Sequence, residues 1–140
     1  HVEFGGTIRT LTPEIREYVF QRIHDIVDSI CTMYGAKGEV EIIPAYPPLI
    51  NDPDMSEFVL NIARELFPKE QVIELTTPSM GGEDFSYYLQ EKPGAYFWLG
   101  GKKPEEKLLA YNHNPKFDPD ENAFIVGTCM HINIVTEFLK

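Results

Sequence analysis

An α/β layered fold is what this sequence predicts, from three observations. Two stretches carry apolar residues at helical spacing behind a Thr-Pro or Asp-Pro start. Short segments rich in β-formers separate the helical ones. Taken in order, the segments run β-α-β and then α-β-α-β-α, an alternation that belongs to helices packed on a sheet.

Each element has its own warrant. Residues 2–11, "VEFGGTIRTL", read as a strand, with Gly5-Gly6 as a bulge. Thr12 caps a helix with Pro13 at its first position, and Ile15, Val19, Ile23, Ile26, Val27, Ile30 and Tyr34 form its apolar face up to Gly35. "EVEIIPAY", 39–46, alternates as a second strand until Pro44. The composition changes at 46–54, where Pro47, Pro48 and Pro53 stand among polar residues, and a domain boundary is placed near residue 48. Asp52-Pro53 starts a second helix whose apolar face is Met55, Phe58, Val59, Ile62, Ala63, Leu66 and Phe67. The short strand "QVIEL", 71–75, precedes a glycine turn and a short helix in "PSMGGEDFSYYLQEKPG". "AYFWLG", 95–100, reads as a buried strand. Asp118-Pro119 with Glu121 resembles a capping box for a last helix carrying Phe124, Gly127, Met130, Ile134 and Phe138.

Composition excludes several classes of partner. The 140 residues carry 12 basic and 22 acidic side chains, a net charge of -10 that repels phosphate backbones and anionic lipid, so neither nucleic acid nor membrane is expected as a partner. No apolar run reaches the roughly 20 residues of a membrane span, and no signal-peptide h-region is seen, which makes the cytoplasm the default location. Cys31 and Cys129 form no CxxC or Cys/His cluster and read as buried thiols. The chain opens at His1 directly in strand-like sequence, as a cut or processed piece of something longer does.

In an α/β layer fold, ligands gather at loops beyond the carboxyl ends of strands. Two loops qualify, one around Met80–Phe85 and one from Gly100 to Asp118. The second holds His113, whose neighbour Asn114 is restricted to extended geometry by Pro115. From spacing alone His113 is either a metal ligand or proton carrier, or an exposed loop histidine without a chemical role. His24 and His131 read as structural or solvated. "GGED", 81–84, offers close backbone approach to a ligand or simple helix capping, and Arg9 is either a bidentate carboxylate contact or a surface cation. HExxH, GxSxG, a P-loop and GxGxxG are all missing, which leaves zincin, serine-hydrolase and nucleotide-binding chemistry without support.

Five stretches, "GGTIRTLTPEIRE", "YPPLINDP", "PSMGGEDFSYYL", "PGAYFWLG" and "HNPKFDPDENAF", resemble in order and spacing the successive motifs of the metal-dependent aminoacylase/carboxypeptidase amidohydrolases, the group of hippurate hydrolases, indole-acetyl-amino-acid hydrolases and N-acyl-amino-acid deacylases. The resemblance implies that residues 1–48 are the end of a lid or dimerisation domain and 49–140 the C-terminal part of a layered catalytic domain. It implies hydrolysis of the amide bond of N-acyl-amino acids or short peptides with two divalent ions, for which imidazole and carboxylate ligands accept zinc, manganese, cobalt or nickel. His113 would be the C-terminal metal ligand, Arg9 a substrate-carboxylate contact, and Gly81, Gly82 and Glu83 shapers of the pocket. No catalytic residue is assigned: the family's HxD segment, its Cys-x-His pair and its Glu-Glu pair with the general base all lie N-terminal to the matched region, so this chain alone is expected to be inactive. Two rival expectations stand beside it. One is a binding or dimerisation module that forms a homo-oligomer through a strand edge at 2–10; the other is a fragment with no function of its own.

Overall fold

A computed structural model describes residues 1–105 and 110–140; of the second candidate loop, residues 106–109 lie outside the described residues. Four α-helices are seen among these: α1 Pro13–Met33, α2 Pro53–Leu66, α3 Phe85–Glu91 and α4 Asn122–Phe138, with a single 3-10 turn at Lys69–Gln71. The chain divides into two compact units, one formed by His1–Asn51 with Leu75–Gly94, the other by Asp52–Glu74 with Ala95–Lys140.

In the first unit α1 starts where its local chemistry directs. The backbone of Thr12 is extended, its hydroxyl accepts a hydrogen bond from the Ile15 N–H at 3.3 Å, and Pro13 takes a position whose N–H has no partner in any helix. The helix ends at Tyr34, and Gly35 follows with φ +64°, the left-handed conformation that glycine adopts without steric cost. Its apolar stripe is not enclosed: α1 contains no buried residue, and Ile15, Ile26, Ile30 and Tyr34 are exposed. The short helix α3 is tied at its start by Ser86, which is 1% exposed and donates from Oγ to the carbonyl of Glu83 at 2.6 Å.

The second unit has a small enclosed core. Asp52 caps α2, its carboxylate accepting from the Met55 N–H at 2.9 Å. Val59 and Ile62 of α2 and Met130 of α4 are buried together, with Phe58, Ala63, Phe67, Ala95, Phe97 and Ile134 packed against them. Phe58 and Phe138 meet edge to face at 6.2 Å.

Several sequence expectations need correction. The segments 2–11, 39–46, 71–75 and 95–100 do not form strands among the described residues, which are helical, turn or irregular. A strand exists through its ladder of hydrogen bonds to a neighbour, and β-propensity measures only how well side chains fit such a paired surface. Among the described residues these four segments form no such ladder, and several of their large side chains stay in contact with solvent: Val2, Phe4, Ile43, Ile73, Leu75 and Trp98 are all exposed. The capping box expected at Asp118 is not formed. Asp118 instead accepts a hydrogen bond from Lys103, while α4 begins later, with Asp120 accepting from the Asn122 N–H at 3.0 Å. Nor are the thiols buried: Cys31 is half-buried and Cys129 exposed, because α4 turns Ala123, Gly127 and Met130 inward and leaves Cys129 outside that stripe. Among the described residues no helix is long and apolar enough to cross a membrane.

Candidate functional site

The first unit contains a cleft of about 320 Å³ in which four separate stretches of sequence meet. Thr7–Thr10 bring Arg9, the first turn of α1 brings Arg16, and Ala45–Pro48 face Gly81 and Gly82. The two guanidinium groups make the lining cationic, and no carboxylate joins them among the described residues. In a chain of net charge -10 this is a local reversal of sign, suited to a small anion or carboxylate.

Each wall has a local cause. Arg9 is held by a hydrogen bond from its Nη1 to the Thr7 hydroxyl. Arg16 is half-buried, with its guanidinium 5.4 Å from the centre of the Phe20 ring and its Nη2 donating to the Ala45 carbonyl at 3.1 Å. Pro47 and Pro48 fix their own φ and stiffen the segment that follows Tyr46. Glu83, next after the glycine pair, serves the start of α3: its carboxylate accepts from the Phe85 N–H at 3.3 Å and its carbonyl from Ser86. Nearby on α1, Glu14 is held below the ordinary carboxylate range, first by a backbone hydrogen bond and then by the Thr12 hydroxyl.

His113 belongs to the second unit. It is the one residue other than glycine with positive φ among those described, at +69°. The reason lies in two consecutive turns. The Asn114 N–H donates to the Tyr111 carbonyl at 3.1 Å, which puts His113 at the third position of a turn where glycine or asparagine is usual. Asn114 then closes the next turn, its carbonyl accepting from the Phe117 N–H and its side chain from the Lys116 N–H, both at 2.9 Å. The imidazole is thereby presented, exposed, from a backbone whose conformation carries a cost of about 1–3 kcal/mol, of the kind that clusters at binding sites. Among the described residues no three His, Cys, Asp or Glu side chains stand together as a metal cage, so they do not form a complete centre by themselves.

Arg9, Gly81 and Gly82, named from sequence, share the cleft, while Glu83 and His113 have the separate settings just given. Arg16, Tyr46 and the Ala45 carbonyl were missed. The Pro47-Pro48 pair was their only local signal, as a rigid segment that lines the cleft.

A statistical model of the peptidase family M20/M25/M40 matches residues 3–137. Thermostable carboxypeptidase 1 of Saccharolobus solfataricus is 36% identical over 137 residues, covering 97% of this chain and 34% of that protein. The N-acetyldiaminopimelate deacetylase of Streptococcus sanguinis is 35% identical over 121 residues, 84% of this chain and 30% of that protein. IAA-amino acid hydrolase ILR1-like 4 of Arabidopsis thaliana is 28% identical over 142 residues, 99% of this chain and 32% of its own length. In three dimensions the chain is similar to a protein from methicillin-resistant Staphylococcus aureus assigned as an aminohydrolase, with a TM-score of 0.74 at 26% identity, over 92% of this chain and 33% of that one. The chain therefore spans about a third of the length of these relatives. Its five motifs had pointed to the amidohydrolase group, and the match over nearly all its residues bears that out: the chain belongs to the peptidase family M20/M25/M40.

Proposed function

We propose that these residues are the C-terminal portion of a metal-dependent amidohydrolase that cleaves the amide bond of N-acyl-amino acids or short peptides, and that they are inactive without the remainder. The observation that carries this reading is the cationic cleft, where Arg9 from one family motif meets Gly81 and Gly82 from another. A guanidinium there can take the substrate's carboxylate bidentately, while the glycine backbone allows close approach. Family membership supports metal dependence, since M20 peptidases generally require a metal. His113 would hold one ion through its exposed imidazole. When bound, such ions polarise the scissile carbonyl and acidify water. This chain's own part is to orient the substrate and supply that ligand.

In the same reading, residues 1–48 end a lid domain and 49–140 complete a layered α/β catalytic domain. The exposed Phe4, Ile43, Ile73 and Trp98 support it: segments 2–11, 39–46, 71–75 and 95–100 become strands when paired with the rest of the protein. A cytoplasmic setting accompanies it, with Cys31 and Cys129 as free thiols.

The test is release of amino acid from a panel of N-acyl-amino acids by the full-length protein. Turnover should vanish with a chelator and return with zinc, manganese, cobalt or nickel, and Arg9→Met should raise KM about tenfold or more. No turnover on any of them, or turnover indifferent to chelation, would refute the proposal. A dimerisation role is favoured by one observation of its own, the 21-residue α1 with no buried residue. Light scattering of the full-length protein tests it, and a monomer at all concentrations would exclude it.

A further inference from the structure

The wall of the cleft opposite the glycine pair has an unusual problem of support. Pro47 and Pro48 have no N–H to donate, so this stretch must be anchored largely through its carbonyls and side chains. One carbonyl takes two donors from two helices. Arg16 Nη2 on α1 donates to the Ala45 oxygen at 3.1 Å, and the hydroxyl of Tyr87 on α3 donates to the same oxygen at 3.4 Å. Above this point the Tyr46 ring stands edge to face on the Tyr87 ring, with centroids 6.0 Å apart and planes at 77°. The Tyr46 ring also closes on the glycine side: a β-carbon at Gly82 would be 3.3 Å from its Cδ2.

We infer that Arg16 is a positioning residue: with Tyr87 it pins the Ala45 carbonyl, seats Tyr46 against Gly82, and so fixes the width of the cleft that Arg9 lines. The inference rests on the cleft being the substrate pocket. The Arg16 guanidinium is suited to the task because it is planar, stacked near Phe20, and loses little freedom on forming the bond.

Two measurements on the full-length protein test it, with Arg16→Met, Arg16→Lys and Tyr87→Phe. Amide hydrogen exchange at Tyr46, Gly81 and Gly82 needs no substrate; it should be about five- to tenfold faster in Arg16→Met, the equivalent of one lost hydrogen bond, and less so in Arg16→Lys and Tyr87→Phe. In hydrolysis of an N-acyl-amino acid, Arg16→Met should raise KM about five- to tenfold with kcat within about twofold, and Arg16→Lys should recover part of the loss. Exchange unchanged in Arg16→Met would overturn the inference, as would a KM equal to the parent's in that variant whatever its kcat, since the amount of folded protein scales kcat and leaves KM alone. A wild-type protein that hydrolyses no N-acyl-amino acid refutes the substrate pocket instead, and the exchange rates then decide the pin on their own.

Discussion

Gly38 lies against Val27 so closely that a β-carbon at residue 38 would stand 2.6 Å from Val27 Cγ1, and 2.7 Å from Cys31 Sγ beside it. Both contacts come from short side chains on α1, and a β-branched valine in a helix has one preferred rotamer, so Val27 cannot swing clear. Gly38→Ala should destabilise the protein by about 1–3 kcal/mol in urea unfolding, and Val27→Ala in the same chain should restore part of that. No change in Gly38→Ala would show that this contact is not made.

Asp52 supplies one bond and one charge at the start of α2. Asp52→Ala should cost about 1 kcal/mol in chemical denaturation, whereas Asp52→Asn, which keeps an acceptor at the same place, should cost only about a few tenths.

Met130 and Cys129 are neighbours in sequence with opposite surroundings, one 4% exposed in the core with Val59 and Ile62, the other facing solvent. Met130→Ala should lose about 2–4 kcal/mol, and Cys129→Ala should stay within about 0.5 kcal/mol of the parent. Equal effects at the two positions would contradict the inward stripe of α4.

Asp25 is held below the ordinary carboxylate range, first by the hydrogen bond from Gln21 Nε2 at 2.9 Å and then by Arg22. A carboxyl group whose pKa is depressed on folding adds stability at pH above its unfolded value, and that stability is lost as pH falls through the folded value. The stability gap between the parent and Asp25→Asn should therefore be present at neutral pH and close as the pH drops through the carboxylate range and below it. A gap that persists unchanged into acid would remove the charge from the explanation.

The helices were legible in the sequence because their causes are local. Thr12-Pro13, Asp52-Pro53 and the spacing of Val59, Ile62 and Ala63 each act within a turn or two of chain. Strands were not, because pairing joins distant residues, and segments such as 95–100 show only propensity. The start of α4 was misread for a related reason: Asp118 pairs with Lys103, 15 residues earlier, and so does not act as a cap. The cleft divides in the same way. Arg9, Gly81 and Gly82 were marked by family motifs, whereas Arg16 and Tyr87 reach Ala45 across 29 and 42 residues, a convergence with no local signature.

Whether His113 holds a metal ion decides how the rest should be understood. Metal content of the full-length protein, measured by inductively coupled plasma mass spectrometry after purification, should be about two ions per chain, as in two-metal hydrolases. It should fall by about one in His113→Ala and in His113→Asn, the second of which keeps a residue at home in the left-handed turn and so separates loss of the imidazole from loss of the fold. Metal content equal to the parent's in both variants would contradict the assignment of His113 as a ligand.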